Sequence, residues 1–420
     1  MRTREFWALD DDDQGVIDRL APGIGDDPAR VLAYLLLRSG IEEDPATELT
    51  LRIGTELNRT AITAAIASLE SAGVVERTAV RDDGPGRPPA AWHAASDLES
   101  TARTVHQHHA VALLQRARER HEIEREGTRK SGADGELSLG LNWRPNGLHL
   151  PFYAAEERGE EFDLELDIEH HEGSHRALES LVSGETDVGL VGAATALRAR
   201  AADKPVVAIA VAYQRAMAVL YTVRETFGEP LTSVAQLRNR RIGMPARSET
   251  GILGRLFLNQ VALDGSVRIV DTGGEERDAL LSGEVDVVTG SFSDPRDLEG
   301  EGTTVDTLAV ADHFPIYGPT LVVREETLEE RERALEAFLA ATTAGWAATC
   351  LDPTAAAERV AARSDEPSER LARTFETASR EFCPSEAVEE NGWGWQREGT
   401  WDRLRTALEQ GGLLTGSEAA

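Results

Sequence analysis

Lysine is almost missing from the 420 residues: Lys130 and Lys204 are the only ε-amines, and the rest of the Lys-plus-Arg total of 44 is arginine. Amine-dependent covalent chemistry therefore has two candidates at most. Cysteine is as scarce, and Cys350 and Cys383 alone can make neither a disulfide framework nor a thiolate metal centre. No run approaches the roughly 18 consecutive apolar residues that span a bilayer, and Met1 to Asp13 is charged where a secretion signal would be apolar. These absences lead to the expectation of a soluble, cytoplasmic protein.

Acid is what the chain has in excess. Asp and Glu number 74, giving a formal charge of −30 at pH 7. Such a surplus keeps a protein soluble in concentrated salt, as in a halophile's cytoplasm, and argues against general adhesion to nucleic acid or anionic membrane. The hydrophobic fraction of 41% is too much for one ordinary domain of this length, so two or three domains are expected.

The first unit is read within residues 1–95. Asp27 can cap a helix opening at Pro28, with Val31, Leu32, Leu35 and Leu36 on one face. Thr47 to Leu57 gives a second helix with Leu51, Ile53 and Leu57 inward. Asn58-Arg59-Thr60 supplies a turn and a new cap, and the third helix, Ala61 to Ala72, carries Ile62, Ile66 and Leu69 and stops at Gly73. A strand from Val74 to Val80, a turn through Gly86-Arg87-Pro88-Pro89 and a return through Trp92 form a hairpin. This order resembles a winged helix-turn-helix of haloarchaeal type. The resemblance implies a DNA-binding domain with double-stranded DNA as partner, in which Arg59, Thr60 and Thr63 meet bases or phosphates and Arg77 and Arg87 hold the wing to backbone.

Residues 96–135 read as a connector or dimerisation helix, Asp97 to Glu126, followed by a linker rich in small polar residues from Gly127 to Gly135. A homodimer is expected. His106, His108 and His109 lie in this helix without metal-ligand spacing and are expected to be packing or solvated groups.

From residue 136 to 420 short β-rich runs alternate with helices, the α/β rhythm. Ser183-Gly184-Glu185-Thr186-Asp187-Val188 returns as Ser282-Gly283-Glu284-Val285-Asp286-Val287. Each copy follows a helix and opens a buried strand, so two similar α/β lobes are expected, with crossings near Ala208 to Val223 and Leu308 to Val323. Open sheets of this kind bind ligands at the carboxyl ends of their strands.

The run Leu141-Asn142-Trp143-Arg144-Pro145-Asn146-Gly147-Leu148-His149-Leu150-Pro151-Phe152-Tyr153 resembles the opening of the thiamine-pyrimidine synthase and substrate-binding protein family. The likeness continues through both Ser-Gly-Glu-x-Asp-Val segments and Leu237 to Gly243, roughly residues 136–415. It implies a two-lobed periplasmic-binding-protein fold of type II. It also offers three roles: a transporter's binding component, a small-molecule binder, or a synthase that uses pyridoxal phosphate and its own histidine. The synthase's lysine and histidine positions fall on Val191 and Thr195 here, and its cysteine-rich iron motif falls on Phe314 to Leu321, which holds no cysteine. The expectation is therefore no enzyme and no cofactor.

A flat heteroaromatic ligand needs an aromatic face and a few fixed hydrogen-bonding groups in an apolar cleft. The candidates are Asn142, Trp143, His149, Tyr153, Ala193 and Thr195. Ser248, Thr250 and Gly251 are added as a phosphate receptor at a helix start. His170, His171 and His175 read as a solvated loop, and the tryptophans Trp393, Trp395 and Trp401 as packing. Joined to a DNA-reading unit, the cleft is expected to make a ligand-responsive transcriptional regulator, sensing a thiamine-pathway pyrimidine or its phosphate. The alternatives are a synthase-like enzyme and a transporter's substrate-binding component.

Overall fold

The computed structural model describes residues 7–39, 45–79, 89–121, 123, 135–300 and 302–414. Arg87, the hairpin tip, Lys130 and most of the linker lie outside the described residues.

The chain opens with a helix that the sequence reading did not place, α1 (Gln14–Ile24), before α2 (Asp26–Ser39). There follow β1 (Ala46–Thr47), α3 (Glu48–Thr55), α4 (Arg59–Ser71), β2 (Val75–Ala79) and β3 (Ala90–Ala94), with the strands antiparallel in the order β1-β3-β2. The cap expected at the Asn58 turn is present, Asn58 Oδ1 accepting from Ala61 N–H at 3.0 Å, and Thr47 Oγ accepts from Thr50 N–H at 3.3 Å to cap α3, whereas α2 opens at Asp26, so Asp27 lies inside that helix rather than capping it. Leu32, Leu35, Leu51, Ile62 and Leu69 meet in one apolar core.

Helix α5 (Leu98–His121) is about 36 Å long by its residue count. Its first turns place Ala102 and Val105 in the N-terminal core, while Ala110, Leu113, Leu114 and Ala117 enter the core of the next unit. Of the two expectations for this segment, connector or dimerisation helix, the packing within the chain is that of a connector, its apolar side covered by α1, a long C-terminal helix and a sheet strand.

Lobe one is built on β4 (Glu136–Leu141), β5 (Glu165–His170), β6 (Val188–Gly192), β7 (Val206–Val211) and β13 (Pro319–Arg324), in the order β5-β4-β6-β13-β7. Its first helices are α6 (Leu150–Glu157), α7 (Ser174–Ser183) and α8 (Ala193–Ala201). Lobe two is built on β8 (Ala218–Val223), β9 (Arg241–Gly243), β10 (Arg268–Val270), β11 (Val287–Ser291) and β12 (Val305–Ala309), in the order β10-β9-β11-β8-β12. It carries α9 (Arg224–Phe227), α10 (Glu249–Gln260), α11 (Glu276–Leu281), α12 (Pro295–Gly300) and α13 (Val310–His313). In both sheets three parallel strands are followed by an antiparallel strand that has crossed from the other lobe. The chain returns to lobe one through β13 and ends in α14 (Glu325–Glu330), α15 (Glu332–Leu351), α16 (Pro353–Ala361), α17 (Ser368–Phe382), α18 (Glu386–Asn391) and α19 (Glu398–Gln410).

The sequence echo has a structural cause. Asp187 Oδ2 accepts from Ser138 N–H at 3.0 Å and from its hydroxyl at 3.1 Å, tying the start of β6 to β4. Asp286 does the same in lobe two, accepting from Arg241 N–H at 2.8 Å and pairing with its guanidinium at 2.6 Å, which ties β11 to β9. Gly184 and Gly283 precede these turns with positive φ of 86° and 73°. Replacing Asp286 with alanine removes a charged acceptor and is expected to lower stability by about 2 kcal/mol, read as a shift in urea midpoint. An unchanged midpoint would show that the β9–β11 junction holds without it.

Helix α15 is long and apolar enough, by length and composition, to cross a membrane, yet 72% of its apolar window is buried inside the fold. It packs on α6, α5 and α1. Its threonines hide their hydroxyls by donating to carbonyls one turn back: Thr342 to Phe338 at 2.7 Å, Thr343 to Leu339 at 2.8 Å and Thr349 to Gly345 at 2.7 Å.

Candidate ligand site

The carboxyl ends of β4 and β6 face the region between the lobes, and a chain of polar groups gathers there. Gly192 N–H donates to Ser174 Oγ at 3.0 Å, and Asn142 Nδ2 donates to the same oxygen at 3.4 Å. Asn142 Oδ1 lies 3.4 Å from His149 Nε2, which places the imidazole proton on that nitrogen. His149 is 1% exposed, and burial, with His170 nearby, pushes its pKa down to about 3, so the ring is neutral. Asn146 holds the approach to α6 by accepting from Leu148 N–H at 2.9 Å.

Trp143 is 53% exposed, an unusual state for tryptophan, and leaves an aromatic face open beside this chain. Its carbonyl accepts from His170 Nδ1 at 2.7 Å, which leaves His170 Nε2 to accept from the Tyr153 hydroxyl at 2.6 Å. The histidine expected in a solvated loop thus fixes the Trp143 loop against α6. Tyr153 itself is buried, with the Arg363 guanidinium 5.2 Å from its ring centroid, and packs behind the loop.

Ala193 and Thr195 lie in the first turn of α8, where the N–H groups of residues 194 and 195 point to Glu249 of lobe two. Glu249, Ser174 and Gly192 were not among the ligand candidates read from sequence, and His170 was read only as part of a solvated loop. Thr289, the middle residue of β11, has a buried hydroxyl without a hydrogen-bond partner. Ser248 and Thr250 are turned to their own helix: Ser248 Oγ accepts from Gly251 N–H at 2.9 Å and lies 3.0 Å from Thr250 Oγ1. Gly251 is forced by space, since a Cβ there would sit 2.0 Å from the Pro245 carbonyl oxygen. Lobe two also meets α17 of lobe one through Arg296, which donates to Thr377 Oγ1 at 2.9 Å, and through the Asp297–Arg370 ion pair.

The tryptophans near the C-terminus do pack. Trp393 lies 5.1 Å from Trp346 between ring centroids, and Trp401 lies 5.3 Å from Tyr317. A cavity of about 280 Å³ lies away from the strand ends, between the N-terminal unit and lobe one. Two of the arginines in its wall already have acidic partners, Arg19 with Glu99 and Arg158 with Glu161.

Two of the residues expected to meet DNA bond within the chain. Arg59 Nε pairs with Glu48 at 3.1 Å, and the Thr63 hydroxyl donates to the Arg59 carbonyl at 2.9 Å. Thr60 and Arg77 are exposed on α4 and β2.

Two α/β lobes with the same strand order, joined by two crossings and with polar groups at their facing strand ends, make a periplasmic-binding-protein-like fold. The NMT1/THI5 like family model matches residues 146–356, and the chain belongs to that family. A riboflavin-binding protein, RibY, of Chloroflexus aurantiacus is 23% identical over 291 residues, which is 67% of this chain and 82% of that protein. A formylaminopyrimidine-binding protein of Halalkalibacterium halodurans is 24% identical over 278 residues, 64% of this chain and 83% of that one. Among solved structures, the periplasmic aliphatic sulphonate binding protein SsuA of Escherichia coli superposes with a TM-score of 0.55 at 16% identity, covering 68% of this chain and 95% of its own. A conserved Candida albicans gene product with the generic periplasmic binding protein fold gives 0.52 at 17% identity, covering 67% and 92%.

These findings correct four expectations. The transcriptional regulator, its DNA-binding keywords, double-stranded DNA as partner and the cytoplasmic location give way, because the matched relatives are named substrate-binding proteins and the E. coli structure is a periplasmic one. With them go the DNA roles of Arg59, Thr60, Thr63, Arg77 and Arg87. Helix order and charge spacing describe a local fold, which does not by itself choose a partner. The expectation of a binder without catalysis stands, since these relatives are binding proteins.

Proposed function

We propose that the protein is the substrate-binding component of a small-molecule import system and takes a flat nitrogen heteroaromatic between its lobes. The observation that carries this reading is the exposed Trp143 face beside the Asn142–His149–Ser174 chain. A ring stacked on Trp143 would present its edge heteroatoms to Asn142, and neutral His149 would hold that amide in one orientation. The names of both curated relatives denote nitrogen heteroaromatics, which supports the same ligand class.

A membrane partner follows from this role, because a binding component needs a permease to receive its ligand. The N-terminal unit, with helices α2, α3 and α4 beside its small antiparallel sheet and α1 packed in the same core, we read as a winged-helix fold in architecture alone.

The test is a fluorescence titration of the full chain with riboflavin and with a formylaminopyrimidine. One of the two is expected to quench tryptophan emission saturably, and Trp143→Ala is expected to weaken that binding about tenfold, the worth of one aromatic stack. Saturable binding by neither compound, or equal affinity in Trp143→Ala, would defeat the reading.

A further inference from the structure

Glu249 is the first residue of α10 in lobe two, yet its hydrogen-bond partners belong to lobe one. Oε1 accepts from Ala194 N–H at 3.0 Å; Oε2 accepts from Thr195 N–H at 3.0 Å and from the Thr195 hydroxyl at 2.5 Å. These are the free donors of the first turn of α8, the place where a helix receives an anion. The residue is partly exposed along its length, while its carboxylate end is enclosed by protein. Burial raises its pKa, and the three hydrogen bonds act in the opposite direction.

Gly192 makes the approach possible. Its φ of −64° and ψ of 145° suit any residue, so backbone conformation does not demand glycine. Space does: a Cβ at this position would lie 2.0 Å from Glu249 Cδ. The same glycine donates its N–H to Ser174, so the carboxylate sits directly beside the proposed ligand groups.

A carboxylate already bonded to the Ala194 and Thr195 N–H groups competes with a second anion for those donors, and like charges in an enclosed site repel strongly. We propose that Glu249 is a specificity-determining residue: on lobe closure it fills the anion-accepting turn of α8, which restricts the cleft to neutral or cationic heteroaromatics and excludes phosphorylated and sulfonated ones. The exclusion rests on the cleft reading given above. It narrows the ligand of that same site by removing the phosphate ester from the candidates.

Two probe pairs test this on the full-length chain. The first is methanesulfonate, an anion without a ring, measured by calorimetry against the wild type and Glu249→Ala. Binding to Glu249→Ala is expected to be saturable and at least about tenfold tighter than to the wild type. The second is riboflavin against riboflavin 5′-phosphate. The wild type is expected to prefer the neutral compound at least about tenfold, and Glu249→Gln, which keeps the side-chain length and an acceptor oxygen, is expected to lose most of that preference.

If riboflavin binds but the wild type takes its phosphate equally well, or Glu249→Ala gains no affinity for methanesulfonate, the proposal is overturned and the cleft reading survives. If no ring compound binds while Glu249→Ala takes methanesulfonate, the role of Glu249 as occupant of the α8 turn stands and the heteroaromatic reading fails. Circular dichroism of each variant, matching the wild type, excludes loss of fold as the cause.

Discussion

Alanine at Gly345 is expected to destabilise the protein by about 2 to 3 kcal/mol, the cost of overpacking a close contact. Gly345 lies in the middle of α15, where it touches α6, and an added Cβ would lie 2.4 Å from the Pro151 carbonyl oxygen and 2.7 Å from the Ala155 nitrogen. Neither atom is the end of a flexible side chain. Relief requires the two helices to separate, which opens the packing around Phe152, Leu339 and Phe338. Alanine is the better helix former, so intrinsic propensity alone would raise stability by about 1 kcal/mol, and the expected loss has the opposite sign. Because α6 begins directly after His149, displacement of α6 should also disturb the Asn142–His149 contact and weaken ligand binding. Urea unfolding at pH 7.5 gives the midpoint, and an unchanged or higher midpoint would show that α15 and α6 can part without loss.

Much of the two-lobed fold was legible in the sequence because its signals are local. The repeated Ser-Gly-Glu-x-Asp-Val marks a helix end, a left-handed glycine and an aspartate that ties two strands, all within six residues. The family resemblance, rather than any local pattern, pointed to Asn142, His149 and Thr195, and the structure places Asn142 and Thr195 just past the carboxyl ends of β4 and β6. Glu249 was not legible. An acidic residue at the start of a helix is an ordinary favourable feature of that helix, and nothing in the chain order says that its carboxylate crosses to a helix more than 50 residues earlier. Helix α1 was missed because Pro22 and Gly25 punctuate it, and its burial depends on α5 and α15, far away in sequence. The regulator reading failed at another level, because a helix-and-hairpin pattern fixes packing among its own residues but carries no address for the partner.

Acidification from pH 6.5 to pH 5 is expected to cost stability through four histidines. His106, His109, His121 and His149 have pKa values pushed down to about 3, 4, 3 and 3, each chiefly by burial. His109 Nε2 lies 2.6 Å from the Trp393 carbonyl and His106 Nε2 lies 3.3 Å from the Arg19 carbonyl, so both rings donate from that nitrogen to a fixed acceptor. In the unfolded chain the same histidines take a proton near pH 6.5, and in the folded chain they do not until their own lower values are reached. Between those limits the unfolded state binds more protons, so stability falls as pH falls, by about 1.4 kcal/mol per pH unit for each histidine and about 2 kcal/mol each over this window. Asp294 opposes the trend, because burial pushes its pKa up to about 6 and the folded state takes up its proton first. The carboxylates held low by arginine, Asp286 and Asp306, act below the window, where their pairs are lost. The net expectation is a falling urea midpoint from pH 6.5 to pH 5, with a pH slope smaller by about one proton in His109→Gln. An equally steep slope in that variant would show that His109 does not stay neutral in the folded chain.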